Sequence, residues 1–279
     1  MGRYPVHNTE ESSVDDGSPS QSPDVPDPLV ETLRDAGCVF AEEEARILRA
    51  AASTRAQLAE LAEARVSGRP LEQLVGWVDF RGLRLRVGPG VFVPRQRTLL
   101  LADTAIEALA DRAHPVFVEA FAGVAPVAAA VCAALPHTTI HVTERQEAAL
   151  AHARRNLPAE AGVHRGDVLD PLPETLRGRV DVIAAVPPYV PSGAADLLPR
   201  EARDFEPAQA LFGGDDGLDP ARSLIARAGR WLAPTGRLLL ELNEAQLDAA
   251  TAAGRLAGFG ARLHVSPDGQ TAVLELAPR

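Results

Sequence analysis

Lysine is absent from the 279 residues, so all 28 basic side chains are arginines, and neither Schiff-base chemistry nor a lysine general base is available. Cysteine occurs only as Cys38 and Cys132, too far apart for metal-ligand spacing and too few for a disulfide framework. Both fit structural thiols in a reducing compartment. Aromatic residues make up 4% of the chain, which argues against a stacking surface for single-stranded nucleic acid. Positive charge is short as well: the formal net charge is −10, the wrong sign for attraction to a phosphate backbone, and no nucleic-acid partner is expected. No apolar stretch is long enough to span a bilayer, and the opening Met1-Gly2-Arg3-Tyr4-Pro5 lacks the apolar run of a secretory signal. The expectation is a soluble cytoplasmic protein without a membrane partner.

The composition is that of globular material, 46% hydrophobic and 24% charged, with length for about two domains at roughly 150 residues each. Residues 1–27 are largely Ser, Asp, Pro and Gly and hold little that could offset their ordering entropy, so a disordered tail is expected there. In residues 28–66, Leu29 and Leu33, Ala45 and Leu48, then Leu58 and Leu61 recur at three- or four-residue spacing, which predicts a small helical domain. Residues 67–97 switch period: Leu83, Leu85 and Val87 alternate with arginines after Arg81-Gly82, the pattern of a β-hairpin connector. From 98 to 279, short apolar runs at 116–118, 139–142, 180–184 and 237–242 alternate with helical stretches at 126–134, 146–156 and 219–232. That alternation predicts an α/β fold, a doubly wound, mostly parallel sheet covered on both faces. Ligands in such sheets bind beyond the carboxyl ends of the central strands, so the loops after Val118, Val142 and Ile183 are where chemistry is expected.

The most specific run is Val186-Pro187-Pro188-Tyr189, at the end of the strand Asp181-Val182-Ile183-Ala184-Ala185. Two prolines hold the backbone extended, aim carbonyl oxygens in one direction and present a tyrosine. Alone, the same run also reads as a proline-rich exit from a strand. It resembles the Asn-Pro-Pro-Tyr signature of amino methyltransferases, with Val186 in the Asn position. The next stretch of chain, Glu201-Ala202-Arg203-Asp204-Phe205-Glu206-Pro207 and then Gly213-Gly214-Asp215-Asp216-Gly217-Leu218-Asp219 with Arg222, is similar to the HemK/PrmC family, the protein (N(5)-glutamine) methyltransferases. Pro70-Leu71-Glu72-Gln73, Gly76, Phe80-Arg81-Gly82-Leu83 and Val91-Phe92-Val93-Pro94-Arg95 upstream fit that family, as do Leu240-Glu241 and Gln246 downstream. The resemblance runs from about residue 28 to the C-terminus.

The resemblance implies a class I S-adenosylmethionine-dependent methyltransferase of Rossmann-like fold, acting on the Gly-Gly-Gln loop of a peptide chain release factor or on another protein substrate, which the small helical domain would contact. It places S-adenosylmethionine on the run Glu119-Ala120-Phe121-Ala122-Gly123-Val124-Ala125, where Phe121 and Ala125 stand at glycine positions and only Gly123 remains; without the family this is an ordinary strand-to-helix turn. Glu144 is implied as acceptor for the ribose hydroxyls, although a glutamate at a helix start is favoured by the helix dipole alone. Asp167 is implied as acceptor for the adenine amino group, although a turn aspartate would look the same. In the family, an Asn side chain and the next proline carbonyl hold the two amide N–H groups of the acceptor, so Val186, Pro187, Pro188 and Tyr189 are the catalytic candidates and Val186 offers no oxygen. The Pro-Glu-Thr-Glu usual after the hairpin is Gln96-Arg97-Thr98-Leu99, and Asn243 replaces a usual Gly. Three readings stand: a glutamine methyltransferase, a methyltransferase of a small molecule, and a non-catalytic binding protein that keeps the fold. The histidines are assigned to surface or packing, without a cluster.

Overall fold

A computed structural model describes residues 27–267, 269 and 271–279. Residues 1–26 of the expected tail lie outside the described residues. Asp27, counted in that tail, instead starts the fold: its carboxylate accepts the Leu29 N–H at 3.0 Å and caps α1 (Pro28–Asp35), with Pro28 in the first turn. α2 (Ala41–Ala51) and α3 (Arg55–Val66) come next, the latter capped by Thr54, whose hydroxyl accepts the Gln57 N–H at 3.1 Å. Leu33, Cys38, Ala41, Ala45 and Leu48 form the core of this helical unit. A short α4 (Leu71–Val75) ends at Gly76, whose φ of 81° is the left-handed helix stop that glycine accepts without strain.

The hairpin is β1 (Trp77–Phe80) and β2 (Leu83–Arg86), turned by Arg81 and Gly82 with φ of 55° and 74°. Positive φ at both turn positions matches the right-handed strand twist. Val78, Phe80 and Leu85 point into the main core, so the hairpin is packed against the sheet's helical layer.

α5 (Leu99–Leu109) leads into the sheet, built from β3 (Val116–Ala120), α6 (Pro126–Ala134), β4 (Thr139–Glu144), α7 (Glu147–Asn156), β5 (Gly162–Arg165), β6 (Val180–Ala185), α8 (Arg200–Phe205), α9 (Ala208–Leu211), α10 (Asp219–Ala228), β7 (Leu232–Leu242), α11 (Leu247–Leu256), β8 (Phe259–Val265) and β9 (Ala272–Pro278). The strand order is β5-β4-β3-β6-β7-β9-β8, and β9 runs antiparallel to both of its neighbours. Successive residues of the central strands feed opposite cores. Phe117, Val182, Ala184 and Leu239 pack with α5, α6 and α7, while Val118, Ile183, Ala185, Leu238 and Leu240 pack with α10 and α11. Burial on both faces is why these strands read as unbroken apolar runs. The chain winds outward from β3 in one direction and from β6 in the other, so the switch point lies where the carboxyl ends of β3 and β6 adjoin.

Three elements differ from the sequence expectation. β5 is a four-residue strand of mixed polarity, and β8 carries exposed Arg262 and Leu263, so neither shows a strand period. The helix expected to reach 232 stops at Ala228, and Leu232 already pairs with Val180. The histidines do form a pair: the rings of His141 on β4 and His164 on β5 stack at 5.3 Å with Nδ1 and Nε2 3.0 Å apart. Parallel pairing sets His141 opposite Gly162, and the missing side chain there leaves the space that the His141 ring fills. Burial lowers the affinity of both rings for a proton. Among the described residues no helix is long and apolar enough to cross a membrane, and no group of three or more potential ligands could hold a metal ion.

Candidate active site

Glu119, the penultimate residue of β3, is 4% exposed. Its carboxylate accepts the N–H groups of Val127 at 3.3 Å and Ala128 at 2.6 Å, the first turn of α6. The helix's own cap residue, Ala125, has no side chain to offer, so a strand carboxylate satisfies those amides. Desolvation outweighs the pull of the two amides and pushes the Glu119 carboxyl up to about 8, with the nearby charge of Glu144 adding to the effect. Between strand and helix, Phe121, Gly123 and Ala125 all take left-handed backbone, with φ of 54°, 55° and 64°. For residues with a Cβ this costs about 1–2 kcal/mol each. The loop therefore keeps a glycine-type path although only one of the three is glycine. The Phe121 side chain packs against the core on the α10 and α11 face. A Cβ placed on Gly123 would meet nothing within 4 Å, so the loop is open towards solvent at that point.

β4 ends in Glu144, half-buried, whose Oε2 accepts the Gly123 N–H at 2.9 Å while Oε1 accepts those of Arg145 and Gln146 at 2.7 and 2.8 Å. These bonds fasten the β3 loop to the β4 loop, and carboxylate oxygens retain capacity for further donors. Past β5, Asp167 is exposed, with its carboxylate 3.8 Å from the Arg145 guanidinium.

β6 runs into Val186-Pro187-Pro188-Tyr189, and the two prolines have no N–H, so this wall presents carbonyl oxygens and carbon. Its shape is held from behind. Gly213 and Gly217 lie so close to the carbonyls of Pro188 and Tyr189 that a Cβ at either would collide with them. Val190 donates to the Leu211 carbonyl and accepts from the Gly213 N–H, each at 2.9 Å. Nε2 of Gln246 donates to the carbonyls of Tyr189 at 2.8 Å and Asp216 at 2.9 Å, and Arg222 clamps Asp216 through two bonds of 2.9 and 2.5 Å. The Gly/Asp-rich stretch is thus the buttress of the proline wall.

Tyr189 meets a residue that the sequence marks only as a lost carboxylate: Arg97 donates to the phenol oxygen at 2.5 Å and, through Nε, to Oε1 of Glu241 at 3.3 Å. Burial raises the Tyr189 phenol, and the Arg97 charge pulls it back. Glu241 is 2% exposed and its Oε2 has no partner among the described residues; burial raises its carboxyl too. No local pattern announces these contacts, which join positions 92 and 144 residues apart. The same holds for Arg65 of α3, whose guanidinium reaches Glu44 at 2.5 Å and Glu201 of α8 at 2.6 Å.

A cavity of about 1060 Å³ opens over the switch point, and Glu119, Phe121, Gly123, Glu144, Asp167, Val186, Pro187, Pro188 and Tyr189 all line it, together with Arg97 and Glu201. The acceptor set fits an adenosyl ligand: two carboxylates for hydroxyl and amino groups, and an open glycine beside them.

No family model matches the chain. The release factor glutamine methyltransferase of Streptomyces coelicolor is 37% identical over 190 residues, 67% of each chain. The 4-amino-L-phenylalanine/4-methylamino-L-phenylalanine methyltransferase of Streptomyces pristinaespiralis is 36% identical over 200 residues, 70% of this chain and 68% of that one. Among solved structures, a methyltransferase from Pyrococcus furiosus superposes with a TM-score of 0.51 at 18% identity, covering 71% of this chain and 91% of that one. The Thermus thermophilus 16S rRNA N2 G1207 methyltransferase, solved with AdoMet and guanosine, superposes with a TM-score of 0.53 at 18% identity, covering 73% and 50%. The fold is that of the class I methyltransferases.

Proposed function

The chain belongs to the release factor glutamine methyltransferase family, and from that premise we propose that it transfers a methyl group from S-adenosylmethionine to the side-chain amide nitrogen of glutamine in a release-factor Gly-Gly-Gln loop. The observation that carries this reading is the shared cavity into which the loops after β3, β4, β5 and β6 all open. When bound, S-adenosylmethionine supplies a methyl group on a sulfonium centre. Glu144 would accept from the ribose hydroxyls and Asp167 from the adenine amino group, and the Phe121–Ala125 backbone would face the methionine end. Pro187 and Pro188 bring no N–H, so their carbonyls suit a nucleophile that brings its own N–H, such as an amide or amine. An amide lone pair is delocalised into its carbonyl. The task of the wall is therefore to hold the N–H on the Pro187 carbonyl and aim the lone pair, which is positioning and charge stabilisation, not general base catalysis.

Val186 favours a second reading, methyl transfer to a small-molecule amine, because it leaves one of the two amide N–H groups without an acceptor. The relative named for 4-amino-L-phenylalanine belongs to the same similarity group. The test supplies the full chain with methyl-labelled S-adenosylmethionine and two acceptors, a release-factor domain and 4-amino-L-phenylalanine. Label on the glutamine supports the first reading and label on the amino acid alone replaces it with the second. If calorimetry detects no cofactor binding, the cofactor assignment fails and the binding-protein reading gains.

A further inference from the structure

Arg97 is a charged side chain on the wall beside Tyr189 that neither the cofactor residues nor the amide acceptor uses. It sits just before α5 and lines both the main cavity and a shallower depression of about 660 Å³ next to it. Nε and one Nη are held from the protein side by Glu241 and Tyr189, while the other Nη has no partner among the described residues and the side chain is 49% exposed. Arg95, two residues earlier, is built alike: one Nη donates to both oxygens of the fully buried Glu206 at 2.7 Å, and its guanidinium lies 4.7 Å over the Phe92 ring. A guanidinium fixed along one edge and open along the other is a preorganised planar fork, the shape that takes a carboxylate through paired charge-assisted hydrogen bonds. Preorganisation matters because the side-chain entropy of ordering Arg97 is already spent in the free protein. Where the family pattern has a carboxylate after the hairpin, this chain has the opposite charge, so a ligand anion that a glutamate would repel is attracted here.

We propose that Arg97 forms a carboxylate-binding subsite at the Tyr189 end of the cleft, for a carboxylate carried by the aminoacyl end of the cofactor or by the methyl acceptor. This rests on the reading that the cleft holds S-adenosylmethionine and an acceptor.

The full chain and its Arg97→Gln variant are titrated by calorimetry with S-adenosylmethionine and with 5′-methylthioadenosine, which keeps the adenosine and sulfur but lacks the aminoacyl group. If the carboxylate is the cofactor's, the variant binds S-adenosylmethionine roughly 10- to 100-fold more weakly and methylthioadenosine equally well. If it is the acceptor's, cofactor affinity is unchanged. In the chain saturated with S-adenosylhomocysteine, the variant then loses a similar factor for 4-amino-L-phenylalanine and none for 4-aminophenethylamine, which lacks the carboxylate. A variant that alters neither pair overturns the subsite while leaving the cofactor reading intact. Failure of S-adenosylmethionine to bind the unsubstituted chain sinks the cofactor reading and the subsite with it. Because Arg97→Gln takes the guanidinium from the buried Glu241, the Arg97→Gln/Glu241→Gln double variant is measured alongside and should repeat the result, and Arg97→Lys, a point charge without the fork, should fall between.

Discussion

The loops after β3 and β4 meet the loop after β6 in one cavity, but the two sides carry their departures from the family pattern differently. On the cofactor side, Phe121 and Ala125 replace glycines, and the backbone still takes the left-handed path at both. The Glu144 bond to Gly123 and the Glu119 bonds to α6 hold that path against the strain. On the acceptor side the backbone is equally well held, by Gly213, Gly217 and Gln246. What changes there is chemistry: the Val186 side chain has no oxygen, and Arg97 brings a positive charge to Tyr189. A required backbone shape can survive the loss of its usual residues, at about 1–2 kcal/mol each. A required hydrogen-bond acceptor has no such substitute.

The sharpest test of that contrast is Val186→Asn. If the acceptor side has lost only its oxygen, the substitution should raise turnover on a release-factor domain by up to on the order of 10²- to 10³-fold, with little change in cofactor affinity. Position 186 is half-buried, so an Asn there without a partner costs up to about 1–3 kcal/mol, and melting temperature is measured beside the rate. On the cofactor side, Glu144→Ala removes both the proposed ribose acceptor and the tie to Gly123, and calorimetry should show affinity falling roughly 10- to 100-fold. Unchanged affinity would mean that the polar anchors of this side are structural only.

Gly217→Ala probes the acceptor-side backbone: with φ at 76° and the Tyr189 carbonyl against the new methyl, it should cost about 1–3 kcal/mol in a thermal melt. Turnover should fall more than cofactor affinity, and an equal loss of both would blur the division between the two sides. A further expected effect is on pH dependence. The Glu119 carboxyl is raised to about 8 from an ordinary 4.5, so between those values the folded chain holds a proton that the unfolded chain has released. Stability therefore declines as pH rises through that window. Glu119→Gln should flatten the decline, a change on the order of 10 °C in melting temperature between pH 5 and pH 8.

Much of this architecture is written locally. The apolar runs of β3, β4, β6 and β7 and the Leu periodicity of α1 to α3 reflect elements that bury whole faces, and the carboxylates at strand ends reflect the fold's switch point. The Val186–Tyr189 run and the Gly213–Asp219 run each stand out along the chain. Their contact does not, because Gln246 bridges them from 57 and 30 residues away. The same is true of Arg97, which finds its partners only after β6 and β7 have paired. β5 and the His141–His164 stack are hidden because a short edge strand has too few residues for a period, and a side-chain pair across strands has no signature along the chain.

Arg65 carries a consequence for motion. Its side chain is 9% exposed and bridges Glu44, within the helical unit, to Glu201 on the cleft rim. The Arg65–Glu44 pair is buried, so Arg65 is held firmly in the helical unit and its bond to the half-exposed Glu201 ties the rim to that unit. In hydrogen exchange the amides of α3 and α8 should then behave as one cooperative block, slowing and quickening in step as denaturant is varied. A partner that grips the helical unit would thereby quiet the breathing of the cleft mouth without touching it.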